Sequence, residues 1–281
     1  MLRLTMLTCA IALAISSAAL AATDNSLAHY LSALPTAAQP KVVGVRHYRF
    51  TTDYFQYDGS GNFTSKERVA GDYTRGLPGD QARWDNVTIA NATGLEDTFP
   101  TGAPQKYMDG FTYKSERSGG LADAFQPGFF AGFPDVMETK TLVWDSGMFE
   151  VFAWNFLDKL QLNQPYPFQV PDTPMPGGGS FHNRRPELTW VGITRRNGKI
   201  CAVIQYEALF NTLNFNNQGN HISGTSSYWG TIWMGVDDKQ IEYATLREDV
   251  LASVQIPGPN GPRTMVFNTI RVATLEPLTG S

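Results

Sequence analysis

The acid–base groups of this chain are few, which narrows the chemistry open to it. Only four histidines occur, His29, His47, His182 and His221, and none stands in an H-E-x-x-H or H-x-H spacing. No metal is therefore expected. His182 follows the glycines of Gly177-Gly178-Gly179-Ser180-Phe181-His182, and His221 opens an apolar strand-like run. If the glycine-rich segment folds back over a sheet, His182, His221 and Glu207 converge as an acid–base set. Glu207 and Glu242, on neighbouring strands, would supply the two carboxylates that a glycosidase holds about 5–10 Å apart. These four residues define one candidate function, a carbohydrate- or ester-active hydrolase. Other catalytic signatures are missing. The glycine triplet lacks the Lys-Ser/Thr and helix start of a phosphate loop, and no G-x-S-x-G elbow occurs. No cofactor is expected. Cys201, within Lys199-Ile200-Cys201-Ala202-Val203-Ile204, reads as a small buried hydrophobe.

A second set of residues carries binding rather than reaction chemistry. The chain holds 17 Phe, 6 Trp and 11 Tyr, and nine of these fall between Phe125 and Phe156. Phe149, Phe152, Phe156 and Leu160 recur at helical spacing, predicting a helix over Met148–Leu160 with Glu150, Asp158 and Lys159 on its wet side. Phe125, Phe129, Phe130, Phe133 and Trp154 add more aromatic surface than one helix–sheet contact requires. The excess points to a cavity between helix and sheet, lined by Phe125, Phe129, Phe130, Phe133, Phe149, Phe152, Trp154 and Phe156. Its occupant would be an apolar or amphipathic small molecule.

The elements that must position these residues are mostly strands. Lys41–Tyr57 and Phe63–Arg75 flank an Asp58-Gly59 turn, and Arg83–Ala90 and Lys106–Lys114 follow. Later, Leu188–Arg195 and Ile200–Leu213 flank Asn197-Gly198. Ser223–Val236, Gln240–Ile256 and Arg263–Leu275 complete the series. Runs this long exceed the usual five or six residues. The predicted fold is mostly β: long antiparallel strands in a strongly curved sheet or open barrel, with a short N-terminal helix at Asn25–Leu34 and a mid-chain helical insertion. The insertion spans residues 121–186. Its last part, Gln164–Pro186, carries six prolines and three consecutive glycines, and is expected to be a lid-like loop rather than strand or helix interior.

Composition sets the compartment. Arg3, an apolar run from Met6 to Ile15 and the Ala19-Leu20-Ala21 site form a secretory signal, so residues 1–21 are expected to be removed and 22–281 to fold as a single β-rich domain, exported to a periplasmic or extracellular space. The apolar core is too short to span a bilayer, and no later stretch is apolar enough for stable membrane insertion. A net charge of −4 without a Lys/Arg run disfavours nucleic acid as a partner. Asn62, Asn86 and Asn91 each begin an Asn-x-Thr sequon, which matters only in a glycosylating host.

The order of elements resembles the Lol-type lipoprotein carriers and their relatives. The shared features are a short N-terminal helix at Asn25–Leu34, long meandering strands from Lys41, helices inserted mid-chain and closing hairpins. The resemblance implies an exported half-barrel whose helices close a hydrophobic cavity for acyl chains. It carries over no individual functional residue, and the proline-rich Gln164–Pro186 stretch departs from the pattern. An adhesion or scaffold module, with its core filled, is the remaining alternative.

Overall fold

Alternating apolar residues, with turn residues between them, fold both ends of the chain into long strands. A computed structural model describes residues 44–115, 128–134, 136–175, 179–217, 220–256, 261 and 263–278. The expected signal segment, the Asn25–Leu34 helix and Phe125 lie outside them. The first half forms β1 (Arg46–Asp58), β2 (Phe63–Leu77), β3 (Gln81–Ala92), β4 (Ala103–Pro104) and β5 (Phe111–Lys114). Lys106–Met108, expected within a strand, is a 3-10 turn instead. Helix α1 (Met137–Trp154) follows. The second half forms β6 (Pro165–Pro167), β7 (Thr173–Met175), β8 (Gly179–His182), β9 (Glu187–Arg196), β10 (Lys199–Asn217), β11 (Asn220–Gly235), β12 (Ile241–Ile256) and β13 (Arg263–Pro277).

The described strands make one antiparallel sheet, ordered β4-β3-β2-β1-β13-β12-β11-β10-β8-β7, with β5 added to β3 and β9 to β10. Its two halves are joined through β1 and β13, which pair from Tyr48↔Pro277 to Asp58↔Phe267. The ends of the sheet do not meet, so it is an open half-barrel rather than a closed one. Bulges bend it, and one of them organises the cavity. Between Ala208 and Asn211 the register of β10 shifts, and Phe210 takes a positive φ of 57°. On one side of this kink β10 pairs with β9, and on the other with β8. Gly230, on β11, is required by close packing: an added Cβ would lie 1.9 Å from the Thr245 carbonyl oxygen and 2.4 Å from the Tyr206 hydroxyl.

The helix starts at Met137, eleven residues earlier than the apolar periodicity predicts, and ends at Trp154; Leu157–Lys159 is a separate 3-10 turn. It lies on the concave face of the sheet, where Phe149 stacks on Phe50 at 5.6 Å and Phe152 meets Tyr206 at 5.0 Å. The early turns escape the apolar pattern because Asp145 and Ser146 are polar and yet buried. Glu150, expected on the wet side, is 5% exposed. It pairs with Arg75 at 2.9 Å and accepts hydrogen bonds from Tyr73 (2.6 Å) and Ser115 (2.7 Å). A buried carboxylate is tolerable only with such partners.

Gln164–Pro186 also departs from expectation. It contains β6, β7 and β8, which pair with β9, with each other and with β10. Short strands at the margin of the sheet accept proline, since they need donate few ladder hydrogen bonds. The segment is thus a flap stitched to the sheet.

Candidate functional site

The concave face changes character along the strands. One row of cross-strand neighbours is apolar throughout: Phe50 on β1, Leu275 on β13, Ala244 on β12 and Ile232 on β11. Phe149 of α1 packs on Phe50 and fills this end. Four residues further along the strands, the row reads Tyr54, Arg271, Glu248 and Tyr228. Beyond it the sheet and helix separate, leaving a cavity of about 520 Å³. Its walls are the sheet, with Val250, Ala252 and Phe267; the helix, with Met137, Trp144, Met148 and Phe152; and the flap, with Phe168, Val170 and Phe181. The walls are mainly apolar, and the Tyr54–Tyr228 row forms the polar inner end.

That end is an ordered network. The Arg271 guanidinium donates to Glu248 from Nε at 2.8 Å and to Asp145 of the helix. Ser226 donates to the other oxygen of Glu248, and Tyr228 donates to Asn183 of the flap at 2.8 Å. One step further out, Thr269 donates to Gln56 at 2.7 Å. Asp145 is 0% exposed. Burial lifts its carboxyl to about 6, against the pull of Arg271. The ion pairs hold Arg271 well above its ordinary range despite burial, and burial raises the phenols of Tyr54 and Tyr228, keeping both protonated. At the helix N-terminus, Glu138 also lines the cavity. Nearby on β2, burial and then the charge of Glu138 push Glu67 up to about 7.

The residues expected to line a cavity divide between three places. Phe152 and Phe156 line it, the Phe156 ring meeting Phe168 at a tilt with centroids 4.5 Å apart. Phe149 is fully buried between Phe50 and Tyr206. Trp154 is buried beside Arg75 and donates its indole N–H to the Lys239 carbonyl. Phe129, Phe130 and Phe133 gather around Phe111, at 5.9, 5.7 and 4.8 Å, in a separate aromatic cluster against β5. The helical stripe therefore serves both core and cavity, while the Phe129–Phe133 aromatics lie away from the cavity wall.

His182, His221, Glu207 and Glu242 are not brought together. His182 bonds Asp172 at 2.6 Å within the flap, both side chains being exposed. His221 contacts Asn216. In register His182 faces Thr212 and His221 faces Asn216, four residues apart on β10, or about 13 Å along the strand. Glu207 is exposed, opposite Glu187 and Trp229. Glu242 is 1% exposed and is held by Arg46 and Lys199, each at 2.6 Å. Cys201 is buried, and desolvation pushes its thiol up to about 11. Among the described residues, no cluster of three or more His, Cys, Asp or Glu is arranged to hold a metal.

No motif marks Arg271, Glu248 or Tyr54 as a site, although the strand faces carry a signal. Thr269, Arg271, Ala273 and Leu275 alternate onto one face of β13, and Leu246, Glu248, Val250 and Ala252 onto one face of β12. Opposite charges interrupting two apolar faces mark a paired site.

Fold and site together define an open antiparallel half-barrel wrapped around helix α1, with a cavity between them. No family model and no curated protein matches the chain. Among solved structures, it is similar to a DUF1329 family protein from Desulfovibrio piger, with 8% identity, 92% of this chain and 94% of that chain covered, and a TM-score of 0.17. That likeness is too slight to carry a function across. Among the described residues, no helix is long and apolar enough to cross a membrane.

Proposed function

We propose that the chain is an exported binding protein that holds an apolar or amphipathic, lipid-like ligand between the curved sheet, α1 and the flap. The observation that carries this reading is the cavity itself. Its volume of about 520 Å³ lies within the range of small-molecule sites, and one end carries the charged Arg271–Glu248 pair between Tyr54 and Tyr228. Two further features support the reading. The flap that closes one wall is tied to the cavity's polar row through Asn183 and Tyr228. The half-barrel also agrees with the Lol-type resemblance in element order, whose members hold acyl chains in such a space.

The test is titration of the full chain with a neutral, environment-sensitive acyl-chain probe. Trp144 lines the cavity and provides an intrinsic fluorescence signal. Saturable binding near one probe per chain, weakened by Phe156→Ala, is the expected result. A folded protein that binds no such probe overturns the reading.

A further inference from the structure

The charges around the cavity restrict its occupant further, given the cavity reading above. One cationic side chain, Arg271, lines the cavity among the described residues. Its guanidinium is already engaged by Asp145 and Glu248. Glu138 adds a second carboxylate to Glu248 on the cavity wall, so two acids face one committed base, with Asp145 buried behind the wall. The basic residues of neighbouring β2 are occupied elsewhere. Lys66 donates to the carbonyls of Leu95 and Asp97, and Arg68 to Asp53, both beside the Phe99 ring. An anionic head group entering the cavity would meet carboxylates and lose its hydration without a free cation in return.

Unmet hydrogen-bonding capacity points the same way. The Tyr54 hydroxyl lies buried at the cavity's polar end beside Thr141, whose own hydroxyl donates to the Met137 carbonyl, so among the described residues no well-aligned donor reaches the Tyr54 oxygen. Its phenol stays protonated, but the oxygen lone pairs are open to a donor. Leaving such an acceptor unsatisfied is costly, so an occupant that brings N–H or O–H groups to this end, beside Tyr54 and Glu248, gains where a bare acceptor does not.

We infer that the cavity takes a single-chain amphiphile with a hydrogen-bond-donating head, preferring a primary amine to an alcohol and an alcohol to a carboxylate. The apolar walls formed by Met148, Phe152, Phe168, Val250 and Phe267 take the chain. The Tyr54–Arg271–Glu248 row takes the head.

The experiment compares dodecylamine, dodecanol and dodecanoate, each below its micelle concentration, as competitors of the neutral acyl-chain probe on the full protein at one pH and salt. The amine should displace the probe at concentrations lower than the carboxylate by about tenfold or more, the scale of one uncompensated charge nearby at partial screening. Glu138→Gln removes a cavity carboxylate without touching the Arg271 cluster, and should narrow that ratio by about a few-fold. Glu96→Gln, an exposed residue away from the cavity lining, should leave it unchanged. Dodecanoate competing as well as dodecylamine, or a ratio indifferent to Glu138→Gln, overturns the inference while leaving the cavity reading intact. Failure of the parent protein to bind the neutral probe overturns both.

Discussion

Arg271 on β13 and Asp145 on α1, 126 residues apart in the chain, form the buried ion pair that fixes the helix to the sheet at the inner end of the cavity. The same guanidinium holds Glu248, so removing it strands two carboxylates in a desolvated place. Arg271→Met should therefore destabilise by about 3–5 kcal/mol. Asp145→Asn, which leaves Arg271 paired with Glu248, should cost clearly less. Urea denaturation of the two variants checks the order; equal losses would mean that the cluster does not act through charge.

Glu67 gives the fold a pH dependence with a definite sign. Burial, and then Glu138, raise its carboxyl from 4.5 to about 7. Between those values the folded chain keeps a proton that the unfolded chain has released. The contribution is thus fully present below about pH 4.5 and is lost as pH rises through 7. The parent should lose stability relative to Glu67→Gln over that window. Thermal melts of both proteins from pH 4.5 to 8 decide it, and parallel curves would contradict the assignment.

The aromatic residues should separate by position. Phe149→Ala, in the filled core, should cost about 3–5 kcal/mol. Phe156→Ala, half-buried at the cavity, should cost about 1–2 kcal/mol and weaken probe binding. Phe129→Ala, in the cluster around Phe111, should leave probe affinity unchanged. Parallel stability and binding measurements test all three.

The flap depends on one buried side chain at the β10 kink. Asn211, 0% exposed, accepts the Arg184 backbone N–H at 3.0 Å and donates to the Ala208 carbonyl at 2.9 Å. Asn211→Ala removes both contacts at a cost of about 1–3 kcal/mol. Trypsin should then cut between Arg184 and Arg185 faster than in the parent, while fragments of the long strands persist. An unchanged cleavage rate would show that the flap is held by its strand pairing alone.

The strands and most turns were written in the sequence. Alternation along Ile200–Leu213 and the Asn197-Gly198 turn are local properties, and both residues of that turn take the positive φ expected of them. The curved antiparallel sheet followed from strand length. The helix was legible only in its apolar second half, because periodicity assumes that polar residues face water. Asp145 and Glu150 instead face Arg271 and Arg75, partners 126 and 75 residues away in the chain. The flap was hidden for a related reason: proline and glycine forbid interior strands but not the short marginal pairing of Gly179–His182 with β10.

The site was the least legible part. Aromatic abundance announced a packed or ligand-holding region, but composition does not distinguish Phe156 at the cavity from Phe149 in the core or from Phe129 in its separate cluster. That division was decided by tertiary structure, where α1 fits closely over the Phe50–Ile232 row and parts from the sheet beyond the Tyr54–Tyr228 row. A residue's own chemistry and its near neighbours determine whether it enters a strand or a helix. Whether two apolar faces meet or leave space depends on the curvature summed over many strands, and on buried charges whose partners lie far away in the chain.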